Sequence, residues 1–122
     1  MQNLYEYFKK LYPDLLGDKD IIELDWGTGW KDILDILFAK LSGRGIKITQ
    51  VKEKFGGLRV YYDPWGVKTE EDADLVDTFI QQAEEESLRT CQFCGSKNNV
   101  STKGSWLLTL CDSCREKRGA SH

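Results

Sequence analysis

Two Cys-x-x-Cys pairs, Cys91/Cys94 and Cys111/Cys114, hold every cysteine of the chain, with sixteen residues between them. Thiolates are soft ligands, and two such pairs at this separation match the spacing of tetrahedral four-thiolate zinc sites. Four sulfurs close the coordination shell and leave no position for water, so the expected metal is one structural Zn²⁺ per chain. Ligation of that kind supplies about 10–16 kcal/mol of apparent binding energy to a module too short to fold alone. Disulfides fit less well, because the segment MQNLYEYFKK has no apolar signal core and a cytoplasmic chain keeps its thiols reduced. A dithiol redox role ordinarily uses one Cys-x-x-Cys. A treble-clef finger and a zinc ribbon both accommodate the spacing, with the treble clef preferred.

A second group of residues with chemical potential is the string Lys52-Glu53-Lys54-Phe55-Gly56-Gly57-Leu58-Arg59 with Tyr61. Lys52, Lys54 and Arg59 set three cations around a Gly-Gly turn. Gly56 and Gly57 leave backbone N–H groups without side-chain cover, and Phe55 and Tyr61 offer rings for stacking. Such groups suit a nucleotide-like anion. Trp65, in an Asp-Pro-Trp-Gly turn, is a further contact candidate. The alternatives are a protein-binding hairpin and a scaffold hairpin. In the scaffold, the cations pair with an acidic helix and Phe55 fills the core near the zinc module. No GxxxxGK or GxGxxG occurs.

Charge narrows the classes. The chain has 122 residues and a net charge of -3, against general nucleic-acid affinity. The charge is blocked: residues 61–88 carry nine acids and one base, and residues 89–118 carry six bases and two acids. The basic block can bind nucleic acid or offset the -2 of a four-thiolate zinc. The single histidine is His122, which removes catalysis by Ser-His-Asp triads, HExxH proteases and paired-histidine hydrolases. Carboxylate–lysine chemistry through Glu53 or Asp63 with Lys52 is the remaining enzymatic option, and no paired-carboxylate spacing supports it. No apolar run spans a membrane.

The elements that must position these groups read as an α+β fold. Helical periodicity covers 3–12 (Leu4, Phe8, Leu11, Tyr12), 30–42 (Trp30, Ile33, Leu34, Leu37, Phe38, Leu41) and 70–88 (Ala73, Val76, Ile80, Ala83, Ser87, widened by Phe79). Thr69 and Asp72 begin the last helix in the manner of a capping box. Residues 46–62 read as an antiparallel hairpin, with arms 46–51 and 58–62 joined through 52–57, and 21–24 as a short strand. Trp26, Trp30 and Trp106 read as core or interface anchors. The expected division is an α+β body over 1–88, a four-cysteine module over 89–118 packed on it, and a tail over 119–122.

Gly29-Trp30, the string from Val51 to Tyr62, Ala83-Glu84 with Ser87, and the double knuckle with Trp106 and Thr109-Leu110 together resemble a family of small uncharacterised proteins of bacteriophages and bacteria. The resemblance covers about residues 26–115. It implies the zinc site and a phage or bacterial origin, and it implies no activity. Many relatives carry histidine in place of the last cysteine; here Cys114 keeps the site closed. The resulting expectation is a non-enzymatic, cytoplasmic, zinc-stabilised protein. It would bind a host protein or an anionic nucleotide-like molecule, acting in counter-defence by sequestration, with nucleic-acid binding as the alternative.

Overall fold

The computed structural model describes residues 4–16, 21–23, 28–64, 66–103 and 107–117. Trp26, Trp65, Trp106 and the expected tail at 119–122 lie outside the described residues. The element order is α1 (Leu4–Leu11), β1 (Ile22–Glu23), α2 (Lys31–Leu41), β2 (Lys47–Lys54), β3 (Gly57–Asp63), α3 (Glu70–Ser87), β4 (Val100–Lys103), β5 (Leu108–Cys111) and α4 (Asp112–Lys117). The α+β class and the three long helices follow the hydrophobic periodicity, which places Leu34, Leu37, Phe38 and Leu41 at 0–2% exposure. Thr69 Oγ1 accepts from the Asp72 amide at the start of α3, and Gly43 takes φ +83° just past α2.

The first sheet has the order β1-β2-β3. It is mixed rather than purely antiparallel: β1 runs parallel to β2, with Ile22 beside Val51 and Glu23 beside Lys52. The hairpin also differs from the expected one. Its strands continue to Lys54 and resume at Gly57, so the connection is Phe55-Gly56 alone. A type I′ two-residue turn, whose twist matches that of the strands, needs positive φ at both centres, and Phe55 and Gly56 take φ +55° and +83°. The Gly pair is therefore divided, with Gly56 in the turn and Gly57 already in the strand.

Strand alternation gives this sheet two faces. Ile48, Val51, Leu58 and Val60 are buried against the helices in the main hydrophobic cluster with Phe8, Leu16, Trp30, Phe38, Val76 and Ile80. The free edge of β3 is sealed by α3: Ser87 Oγ accepts from the Leu58 amide at 3.0 Å and Glu84 Oε2 from the Val60 amide at 3.2 Å. Exposed edge amides invite pairing with another chain, and side-chain acceptors remove that hazard. A second cluster, Cys91, Leu108, Leu110, Cys111 and Cys114, centres on the β4–β5 hairpin and α4. Among the described residues, no helix is long and apolar enough to cross a membrane.

Helix α1 is held to α2 by an edge-to-face contact of Phe8 with Phe38, 5.0 Å between centroids, and by Asp35, which accepts from Tyr7 at 3.0 Å and Tyr12 at 2.8 Å. The hydrogen bond to Asp35, then burial, lifts the Tyr12 phenol to about 12. Burial, then Asp77, lifts Tyr62 to about 12. A phenol raised above its unfolded value favours folding while it stays protonated. That stability is complete below the unfolded value near pH 10 and is lost as pH rises through about 12. Titration by tyrosinate absorbance should show two late phenols with a parallel fall in stability over this window, and Asp35→Ala should return only Tyr12 towards 10.

Candidate metal centre and basic sheet face

The first knuckle forms because Gly95 adopts φ +85° and its amide returns to the Cys91 carbonyl at 2.9 Å, while the Cys91 amide bonds Ser96 O at 2.8 Å. The Cys94 amide then points at Cys91 Sγ, 3.4 Å away. The second knuckle repeats this: Cys111 ends β5, Cys114 lies in the first turn of α4, and the Cys114 amide is 3.4 Å from Cys111 Sγ. Knuckle, hairpin and helix follow in the order of a treble clef, with the fourth ligand on the helix.

All four sulfurs are free thiols lying within 4.8 Å of one another. Cys94 Sγ and Cys111 Sγ are 3.7 Å apart. A tetrahedral ion with metal–sulfur bonds of about 2.3 Å has sulfur–sulfur edges of about 3.8 Å, so the cluster fits a metal ion. Its protonation behaviour agrees. Burial opposes ionisation of Cys91, but backbone N–H groups of Cys94, Cys111 and Phe93 bring its thiol down to about 6. Burial, then the sulfurs of Cys94, Cys111 and Cys91, push the Cys114 thiol up. The Cys91 thiolate forms readily, while the crowding sulfurs disfavour a second charge at Cys114 unless a cation lies among them.

Arg115 is buried at 7% exposure. Its guanidinium donates to the carbonyls of Ser101 (2.7 Å), Leu108 (3.1 Å) and Lys103 (3.3 Å), tying α4 to both strands of the hairpin. Arg89 and Lys97 both pair with Glu86. Of the six bases in the 89–118 block, Arg115 is thus committed within the fold, Arg89 and Lys97 remain exposed while sharing the Glu86 carboxylate, and Arg118 lies outside the described residues.

Much of the motif string docks the body onto this cluster. The Gly29 amide donates to Gln92 O at 3.1 Å, and a Cβ on Gly29 would lie 2.1 Å from the Cys91 carbonyl oxygen. Trp30 Nε1 donates to Thr90 O at 3.0 Å. Gln92 Oε1 accepts from the Thr109 amide at 2.8 Å, and Thr109 Oγ1 donates to the Gly56 carbonyl while sharing a hydrogen bond with Thr102 Oγ1. A Cβ on Gly56 would meet Thr102 Cγ2 at 2.7 Å. The Gly56 amide donates to Glu53 Oε2 at 2.7 Å. It is therefore engaged rather than open to phosphate, which corrects the expectation of two bare amides. Gly57 is buried, and the Arg59 Nη1 atom lies 3.4 Å from where its Cβ would stand.

The side chains of the string separate onto the other face of the sheet. Lys52 lies opposite Arg59 and Gln50 opposite Tyr61, while Lys54 faces Gly57. Lys52, Lys54, Arg59 and Tyr61 thus share the face directed away from the core. Glu23 lies on it beside Lys52 and accepts from Gln50 Nε2 at 3.4 Å. Among the described residues, none of the three cations has a carboxylate at ion-pair distance. Phe55 is 69% exposed and fills no core, contrary to the scaffold alternative. Glu53, turned back to cap Gly56, projects from the opposite face to Lys52, so that carboxylate–lysine pair is not assembled. Sequence reasoning did not find a cavity of about 500 Å³ between α2 and α3, lined in part by Ile33, Ile36, Phe79 and Ala83. The exposure of Ile36, on the far side of a strongly periodic helix, was its one signal.

No protein-family model, no curated protein and no solved structure matches the chain.

The close approaches at the two glycines predict a specific cost. Gly56→Ala places a Cβ at φ +83° against Thr102 and should destabilise the protein by about 1–3 kcal/mol in denaturant unfolding. Gly29→Ala should do the same through the Cys91 carbonyl, whereas Gly43→Ala, with no atom within 4 Å of its Cβ, should cost only its left-handed strain, about 1 kcal/mol.

Proposed function

We propose that the chain is a zinc-stabilised binding protein that captures an anionic, nucleotide-like ligand on the outer face of its three-stranded sheet. The observation that carries this reading is the placement of Lys52, Lys54, Arg59 and Tyr61 on one face with, among the described residues, no carboxylate at ion-pair distance from any of the cations. Like charges directly across a strand pair oppose folding, and Lys52 faces Arg59. A sheet selected for stability alone would place opposite charges there. Two lysines and a planar guanidinium suit phosphate oxygens, and a neighbouring phenol ring suits a base.

Zinc is the metal favoured by four thiolates in a closed tetrahedral arrangement. Its role is architectural: it would fix the knuckles against which Gly29, Trp30 and Gly56 dock. The ligand face contains none of the four cysteines, and the binding proposed there is stoichiometric capture. A host nucleotide signal held in this way would be sequestered, the form of action expected of a phage-encoded chain. A nucleic-acid surface built on residues 89–118 has less support, because Arg115 is buried on backbone carbonyls and the charges of Arg89 and Lys97 are partly offset by Glu86.

Native mass spectrometry of the tag-free protein should find one zinc per chain. Cobalt substitution should give the absorption of a tetrahedral thiolate site. Isothermal titration with tripolyphosphate should show saturable 1:1 binding that weakens by at least ten-fold in Arg59→Ala, with heat capacity and fold unchanged. Absence of zinc from the folded protein would remove the metal reading. Absence of any phosphate binding would remove the sheet-face reading and leave a protein partner as the ligand.

A further inference from the structure

Two residues at opposite ends of the basic face extend this reading. Phe55 is a bulky residue at φ +55°, a conformation that Asn, Asp and Gly adopt at the first position of a tight hairpin turn and that costs other side chains roughly 1 kcal/mol. It is also 69% exposed, so packing within the chain does not repay the strain. Its ring lies on the side of Lys54, whose Nζ is 5.6 Å from the ring centroid. At the other end Tyr61 is 43% exposed, with Lys52 Nζ 5.8 Å from its ring centroid. Between the two rings stand Lys52, Arg59 and Lys54. Tyr61 and Gly57 are four residues apart on β3, about 13 Å at strand rise, and Phe55 lies just beyond.

We infer that this face is a two-platform site for a dinucleotide: two nucleobases, one on Phe55 and one on Tyr61, joined by phosphate held over Lys52, Arg59 and Lys54. The inference rests on the anion-binding reading and adds the ligand's bipartite shape. Aromatic rings accept any base face, and cations between the rings take the connecting phosphates. The lysines beside each ring are at the outer limit of cation–π contact and can swing to the phosphate without leaving a strong interaction. Glu23 stands at the β1 side of the face, occupied with Gln50, and leaves the Lys54–Arg59 side positive. The strained turn and the facing cations are two local choices that oppose stability, and both point at the same patch. Such conflicts collect at sites kept for function.

Isothermal titration of the metal-loaded full chain should compare adenosine monophosphate, the linear dinucleotide pApA, an adenylate decamer and tripolyphosphate. The expected result is pApA binding at least ten-fold tighter than either the mononucleotide or tripolyphosphate. Phe55→Asn should abolish that advantage while raising the thermal midpoint by about 2–5 °C, since it relieves the turn. Tyr61→Ala should also abolish it, at unchanged zinc content. A decamer no tighter than pApA identifies a free dinucleotide as the source of the ligand, and a decamer more than ten-fold tighter identifies a single strand. Equal affinity for mononucleotide and pApA would overturn the two-platform site while leaving anion binding in place. Retention of the pApA advantage in Phe55→Asn would overturn it equally. Failure of every phosphate probe would remove both readings.

Discussion

Cys91, Cys94, Cys111 and Cys114 bring four sulfurs within 4.8 Å of one another, and sulfurs at that separation form a ready-made tetrahedral set for a cation. The rest of the arrangement depends on that constraint. A metal ion held there would tie the two knuckles into one body, and the loop before α2, the end of α3 and the turn of the first hairpin all lie against that body. Each of these three elements approaches the knuckles through backbone or a small side chain: Gly29 against the Cys91 carbonyl, Thr90 through its carbonyl to Trp30, and Gly56 against Thr102 and Thr109. Contacts of this kind tolerate no added methyl group, so the docking is specific in a way that apolar burial alone would not be.

The same hairpin serves both sides of the molecule. Its inward face and its turn backbone carry Ile48, Val51, Leu58, Val60 and Gly56, which join the core and the four-cysteine module. Its outward face carries the cations and the exposed rings. Alternation along the strand lets one short string do both, because neighbouring residues point to opposite faces. Glu53 and Lys52 show the division: the acid caps the Gly56 amide from within, and the base faces outward opposite Arg59. Rigid support beneath an open face holds a site without loops, and the α3 side chains Glu84 and Ser87 prevent the sheet edge from recruiting a further strand.

Much of this was legible in the sequence. The cysteine spacing identified the four thiols that converge, and helical periodicity located α1, α2 and α3, because burial of one helix face leaves a direct trace in residue order. The grouping of Lys52 with Lys54, and of Arg59 with Tyr61, also followed from alternation. Four features were not legible. The parallel pairing of β1 with β2 depends on a contact across some thirty residues that local pattern does not encode. The turn fell at Phe55-Gly56 rather than across 52–57, since Phe is an improbable residue at positive φ and the Gly pair drew attention one residue too far. The burial of Arg115 and the pairing of Arg89 and Lys97 with Glu86 depend on where α3 and α4 end in space, which a basic block in the sequence does not encode. The roles of Gly29, Glu84 and Ser87 as docking and edge-sealing residues likewise appear only once the elements are assembled.

Amide hydrogen exchange of the zinc-loaded and chelated protein, resolved by residue, tests the dependence of the assembly on the metal most directly. The account predicts that chelation removes protection from the amides of Cys94, Thr109 and Cys114, and also from Gly29 and Gly56, which hydrogen-bond at or beside the docking surface. The amides of Val51 and Val60, in the sheet of the main core, should keep theirs. Unchanged protection at Cys94, Thr109 and Gly29 after complete metal removal would contradict it.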